Sequence, residues 1–358
     1  ILEAAGIPFA AALTATCFGA ALMTIAMGLI ANRPLALASG MGLNAIVAFA
    51  LVLGLGLDWR VAMAIVFAEG ILITVLVLAG LREAIMKAIP VNLRRAIGVG
   101  IGLFITFIGL KGGELIVAND ATLIGLGDLT SPVAIVAIVA IVLPVVLMAF
   151  KVKGDILFGI IGATLVGIPL GVTQLPKDWG VHLDFSTFGA PFQMVDGSMA
   201  ILQIFTPLLL LWVFAILMSD FFDTMGTIVA VGEAGGFADK EGNVENTKEI
   251  LLVDSVAAAT GGLIGASSIT TYVESGAGVA EGARTGLSSV VVGILFILAA
   301  FLTPIVGMVS AAATTGALVV VGFLMMGSIA EIDWSDFENA FPAFLTIVMI
   351  PLTYNITN

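Results

Sequence analysis

Along most of its length this chain repeats one pattern: about 20 residues of almost unbroken apolar side chains, a short polar gap, then another such run. A helix needs roughly 20 mostly apolar residues to cross a bilayer. Windows at 7–30, 34–55, 61–80, 96–116, 132–150, 155–172, 204–229, 249–266, 267–281, 287–306 and 311–331 fit, and a further one starts near residue 342. The pattern predicts an all-α polytopic membrane protein with eleven spans and part of a twelfth. Composition agrees. Of 358 residues, 60% are apolar and 11% charged, and the mean hydropathy is +1.19; a soluble domain carries about 25% charged residues. A membrane barrel would alternate apolar and polar residues in segments of about ten. Runs such as Val133-Ala-Ile-Val-Ala-Ile-Val139 do not alternate.

Charge and rare residues narrow the function classes. The net charge is −12 with 13 Lys and Arg, which gives no basic footprint for nucleic acid. The single cysteine, Cys17, can form no disulfide within the chain and reads as a small core residue. The single histidine, His182, argues against a histidine-based metal site or a Ser-His-Asp triad. Neither G-x-S-x-G nor H-E-x-x-H occurs, so an intramembrane enzyme finds no support. A channel needs a continuous polar path, whereas the polar residues here cluster at one depth.

Two windows are poor continuous helices. Segment 34–55 contains Ser39-Gly-Met-Gly42 and the polar Asn44. Segment 267–281 opens on hydroxylic and β-branched residues, then carries Glu274 and two glycines. Broken backbone at membrane depth is tolerated only where protein buries it or where it lines a cavity. Paired interrupted spans in two halves of a chain point to a transporter binding site. The strings Ser39-Gly-Met-Gly42 and Ser275-Gly-Ala-Gly278 also suggest an internal repeat, although S-G-x-G arises by chance in a chain with 42 glycines.

The chain does not begin with Met and ends inside a membrane-like pattern, which predicts a piece of a longer protein lacking one span upstream. With that span restored, Arg33, Arg82, Lys87, Arg94, Arg95, Lys151, Lys153, Lys240, Lys248 and Arg284 fall on the cytoplasmic side. Arg60, Lys111 and Lys177 fall on the other, where 173–200, with Trp179 and His182, forms an outer connection.

Ionisable residues inside spans are expensive and need a role or a partner. Asp220 and Asp223 stand three apart and so share a helix face. Two such carboxylates resist joint ionisation, so the pair can hold a proton; the alternative is a helix-end pair that reaches water. Glu274 sits where an extended stretch meets a half-helix. There it can accept paired N–H donors of a planar heterocycle, or cap the half-helix. Asn44 offers a donor and an acceptor in the other broken span, for a ligand or for an interhelical bond. Glu69, Asp254, Lys111, Glu281 and Arg284 carry weaker signals: Glu281 and Arg284 read as a solvated pair, Asp254 as a snorkelling or capping residue, and Glu69 has no evident role.

These residues lie in familiar strings. N-R-P-L-A-L-A-S-G-M-G-L-N-A (32–45), F-F-D-T-M-G-T (221–227), T-Y-V-E-S-G-A-G-V-A-E-G-A-R-T-G-L (271–287) and P-A-F-L-T-I-V-M-I-P-L-T-Y (342–354), with G-L-G-D-L-T-S-P (125–132), resemble the azaguanine-resistance-like purine permeases, a branch of the nucleobase–cation symporters. The resemblance spans essentially the whole chain. It implies two inverted repeats of seven spans, with a short strand and a half-helix in each of two broken spans. It implies a core domain in 1–80 and 201–308, and a gate domain in 81–200 and 309–358 that supplies a homodimer contact. On that pattern this chain begins after the first span and stops within the thirteenth.

The implied activity is proton-coupled uptake of adenine, guanine or hypoxanthine across the cytoplasmic membrane, without a cofactor. A permease of the same fold for uracil, xanthine or another small solute is the alternative, and an anion substrate fits poorly with acidic mid-membrane groups. Carried over by motif, the nucleobase site comprises Asn44, Gly42, Asp223, Glu274, Ser275 and Thr271, and Asp220, Asp223 and Glu274 are the proton-coupling candidates. Two positions depart from the pattern: Ser39 replaces a proline and Ala283 a glycine.

Overall fold

The computed structural model describes residues 1–80, 91–152, 154–176, 180–181, 183–238 and 244–353. Arg82, Lys87, Lys153, Lys177, Trp179, His182 and Lys240, and the end of the 342–354 string, lie outside the described residues.

In chain order, α1 is Phe9–Ala26, widening into a π-helical turn over Met27–Ala31 that Asn32 stops in the left-handed conformation (φ 51°). Strand β1, Leu37–Ser39, leads into α2, Met41–Ala45, which runs on as a π-helix over Ile46–Gly54. Helix α3 is Trp59–Leu78, capped by the Asp58 carboxylate accepting from the Arg60 N–H. Helix α4 is Val91–Gly112, followed by the hairpin β2 (Ile116–Asn119) and β3 (Leu123–Leu126). Then come α5, Pro132–Ala149, and α6, Asp155–Gly167. A second small hairpin, β4 (Met194–Val195) with β5 (Ser198–Met199), precedes the long helix α7, Pro207–Gly235. Helix α8 is Thr247–Ile264, β6 is Ile269–Thr271, α9 is Ser275–Ala280 and α10 is Gly286–Phe301. Helices α11, Ala311–Met325, and α12, Phe337–Thr353, complete the described chain.

Among the described residues, five helical segments are long and apolar enough to cross a membrane by themselves: Phe9–Ala31, Trp59–Leu78, Arg95–Gly112, Pro132–Ala149 and Pro207–Gly235. Shorter apolar helices occupy most of the other windows. Both interrupted windows are broken as the sequence implies, each by a strand followed by a helix. The two hairpins β2–β3 and β4–β5 were not expected and lie between the long helices.

The described residues divide into two compact units, one from Ile1–Arg94 and His182–Phe301, the other from Arg95–Val181 and Leu302–Ile356. In the first, small residues let backbones approach closely, as membrane helix contacts favour. A Cβ on Gly70 would lie 2.1 Å from the Ala259 nitrogen, and one on Gly262 2.4 Å from the Phe67 nitrogen, so α3 and α8 touch backbone to backbone. In the second unit, alanines dominate the core: Ala134, Ala137, Ala140, Ala163, Ala312 and Ala313. The 125–132 string has a structural account there. Thr130 donates to Asp128 through both its hydroxyl and its N–H, which holds this exposed carboxyl below the usual carboxylate range. Ser131 then caps α5, with Pro132 in its first turn.

Strands β1 and β6 pair antiparallel, Leu37 opposite Thr271, Ala38 opposite Thr270 and Ser39 opposite Ile269. Both are fully buried, so their edges need partners. Thr24 supplies them on one side: its hydroxyl donates to the Leu37 carbonyl and accepts the Leu37 N–H, each at 2.9 Å. The Gly40 N–H donates to the Ser268 carbonyl (3.1 Å), and the Tyr272 N–H to the Ala36 carbonyl (2.7 Å). The S-G-x-G match does not align equivalent backbone, because Ser39 ends a strand whereas Ser275 opens a helix.

Candidate functional site

The two broken spans meet through this strand pair, and α7 packs against α2, β6 and α9. Polar groups concentrate around that junction, and each has an identifiable position.

Glu274 stands at the turn between β6 and α9 and is half-buried. Its side chain makes no capping bond to α9. Among the described residues no other residue donates to its carboxylate, so the capping alternative does not hold. Asp223, on α7, is also half-buried and has no hydrogen-bond partner among the described residues. It lies close enough to Asp254 and Glu274 to feel both charges. Asp220, one turn earlier on α7, is fully buried.

On the other broken span, Gly42 is exposed, and a Cβ placed there would meet nothing within 4 Å. The first turn of α2 therefore borders open space. Asn44 is 9% exposed, and its Oδ1 accepts from the Ser39 hydroxyl at 2.8 Å. That hydroxyl also reaches the Ala266 carbonyl, and the Tyr272 phenol donates to the Ser39 carbonyl. Ser39 thus ties β1 to α2 and to the approach of β6, links that the proline of the resembled pattern has no hydroxyl to make.

Thr271 and Ser275 serve the framework. The Ser275 hydroxyl accepts the Ala36 N–H at 2.9 Å. Thr271 gives both its N–H (2.9 Å) and its hydroxyl (2.8 Å) to Asp254 Oδ1. Asp254 is fully buried and also receives the Thr224 hydroxyl at 2.7 Å on Oδ2. It neither snorkels nor caps. The position of Asp254 in its span gave no sign of this, because its donors come from two other elements. The expected Glu281–Arg284 pair is not formed: Arg284 Nη1 donates to the carbonyls of Val279 (2.6 Å) and Ala283 (2.7 Å), closing the end of α9. Glu69 is fully buried on α3, and Lys111 is exposed in the last turn of α4.

Arg33, which the charge pattern puts on the cytoplasmic side, is largely buried. It stacks over Phe237 (5.1 Å) and pairs with Glu245. Asn32 accepts the Gly286 N–H at 3.0 Å, and the Ser289 hydroxyl donates to the carbonyls of Arg33 (2.7 Å) and Leu35 (2.9 Å). The 32–45 string therefore begins with a knot that fixes where β1 starts.

What this arrangement offers chemically is a pair of carboxylates that take no donor from another described residue, an amide held at one end, and open space beside a glycine. Such a set suits a small polar solute with N–H groups on its edge.

Comparisons with known proteins bear on this geometry. The profile of the xanthine/uracil permeases, described as "Permease family", matches residues 1–358. The guanine/hypoxanthine permease PbuG of Bacillus subtilis is 41% identical over 99% of this chain and 79% of its own length. The adenine permease AdeP of Escherichia coli is 40% identical over 100% of this chain and 79% of its own. Among solved structures, the transmembrane domain of a cyanobacterial bicarbonate transporter, BicA, superposes with a TM-score of 0.59 at 16% identity. That match covers 98% of this chain and 93% of the other. It shows the fold alone: mostly helical, of the seven-plus-seven inverted-repeat type, with short strands.

Proposed function

The chain belongs to the xanthine/uracil permease family, a multi-pass membrane transporter rather than an enzyme, and from that premise we propose that it takes up purine nucleobases across the cytoplasmic membrane by proton symport. The observation that carries the reading is the pair Asp223 and Glu274. Two neighbouring carboxylates that take no donor from another described residue are a costly arrangement inside a membrane protein unless a ligand or a proton completes it. A purine supplies what is missing, since its ring N–H and amino groups donate in one plane. The names of the relatives, permeases for guanine/hypoxanthine and for adenine, support this substrate class.

In this proposal Asp223 and Glu274 accept from the base, Asn44 reads a further edge group, and the absent side chain of Gly42 gives the base room beside the backbone. Thr271 and Ser275 hold the frame. A proton on Asp223 or Glu274, with Asp220 as a further candidate, removes one charge of the pair, and alternating access moves base and proton together. The unit of the first and third segments is assigned as the core that carries the site. The other is assigned as the gate, with a homodimer contact.

Uptake of labelled adenine, guanine, hypoxanthine and uracil by the full-length protein, with and without a proton gradient, tests the proposal. It expects accumulation of at least one purine that collapses with the gradient. Accumulation indifferent to the gradient refutes symport, and preferential uptake of uracil moves the substrate class to the pyrimidines.

A further inference from the structure

We infer that Asp254 is a positioning residue of the site: its buried carboxylate clamps β6 to α7 and so sets Glu274 against Asp223. The inference rests on the purine reading for its functional consequence, and on hydrogen bonds alone for its structural one.

Three donors converge on this carboxylate, and a fourth hydroxyl lies beside it. The N–H and hydroxyl of Thr271 reach Oδ1 at 2.9 and 2.8 Å, the Thr270 hydroxyl approaches the same oxygen at 3.4 Å, and the Thr224 hydroxyl reaches Oδ2 at 2.7 Å. Thr224 and Thr270 also meet each other at 3.0 Å, which joins Thr270 to the cluster around Asp254. All its members are buried: Asp254 and Thr224 at 0%, Thr270 at 1% and Thr271 at 2% exposure.

Polarity decides how the cluster is ordered. A backbone N–H can only donate, so Thr271 requires an acceptor at Oδ1. The Thr224 proton is committed to Oδ2, so Thr270 donates to the Thr224 oxygen at 3.0 Å in preference to the longer path to Oδ1. A carboxylate suits this set because both its oxygens accept, and charge-assisted bonds in a buried setting are strong.

Location gives the cluster its consequence. Thr224 is the next residue after Asp223, and Thr271 lies three residues before Glu274. The α7 backbone at the first ligand and the β6 backbone at the second are therefore tied through one side chain. Loosening it lets the two candidate ligands drift, and displacements of about 1 Å in a positioned site cost heavily.

The test uses the full-length protein and two readouts: hydrogen–deuterium exchange over residues 266–280, and equilibrium binding of hypoxanthine and adenine. Asp254→Asn, which puts an amide donor among donors, is expected to speed exchange in that segment and to weaken purine binding at least ~10-fold. Thr224→Val is expected to do both to a lesser degree, about 3- to 10-fold in binding, while Thr224→Ser restores both because it keeps the hydroxyl. Combining Asp254→Asn with Thr271→Val is expected to add little to Asp254→Asn alone, as for groups acting in one network. Unchanged exchange and unchanged affinity in Asp254→Asn overturn the inference. Should that variant fail to fold, Thr224→Val behaving like Thr224→Ser overturns it instead. Should the wild type bind no purine, the purine reading fails, and the exchange data alone decide the clamp.

Discussion

The two interrupted spans use the same backbone device for different chemistry. The first, β1 followed by α2, holds no ionisable side chain; it offers the Asn44 amide and an open backbone at Gly42, and its helix runs on through Gly54. The second, β6 followed by α9, carries Glu274, is pinned from behind by Asp254, and its helix lasts only to Ala280. In the proposed site one half supplies shape and a neutral reader, and the other supplies charge. Both depend on a serine in the other's vicinity: Ser39 reaches across to Ala266, and Ser275 accepts from Ala36. The difference shows how an inverted repeat can keep its strand pairing while its two halves diverge in what they present to a ligand.

That contrast can be broken most sharply on its charged side. Glu274→Gln and Asp223→Asn each replace an acceptor oxygen with a donor that faces the N–H groups of a base. Each is expected to cut purine uptake by about 100-fold or more, with normal amounts of protein in the membrane, because a buried donor left facing a donor loses more than one bond. Wild-type uptake by both variants would remove the site assignment. On the neutral side the effect is smaller. Asn44→Ala removes one hydrogen-bonding group and is expected to raise the half-saturating purine concentration about 10-fold, with the maximal rate nearly kept. An Asn44→Ala effect as large as that of Glu274→Gln would erase the proposed division of labour.

The link between the halves comes next. Tyr272→Phe takes away the phenol that donates to the Ser39 carbonyl. It is expected to lower stability by about 0.5–1.5 kcal/mol, read as a drop in unfolding temperature in detergent. The smallest effect on folding belongs to Gly42→Ala. The added Cβ meets nothing within 4 Å, and alanine is the better helix former by roughly 0.5–1 kcal/mol. Stability is expected to hold or rise slightly, so any loss of uptake reports a ligand passing close to that backbone.

How much of this could be read from the sequence follows from where each signal lies. The breaks at Ser39–Gly42 and at 267–281 were legible because glycine, hydroxylic and β-branched residues contradict a continuous apolar helix locally. Glu274 and Asn44 stood out as polar groups inside those breaks. Asp254 did not: a carboxylate a few residues into a span looks like many others, and its partners Thr224, Thr270 and Thr271 lie on other elements that only the fold brings to it. The contacts of Arg33 were hidden for the same reason, since Phe237 and Glu245 are distant in the chain. Arg284 was assigned a charged neighbour by spacing, yet the carbonyls at the end of α9 lie nearer and need donors. The repeated S-G-x-G string pointed to a repeat but not to equivalent backbone, because Ser39 ends β1 whereas Ser275 opens α9.

The most direct test is an electron cryo-microscopy map of the full-length protein with bound hypoxanthine. The account predicts density for a flat base beside the ends of β1 and β6, with ring N–H groups within hydrogen-bond distance of Asp223 and Glu274. A base seated elsewhere, or one that touches neither carboxylate, would contradict it.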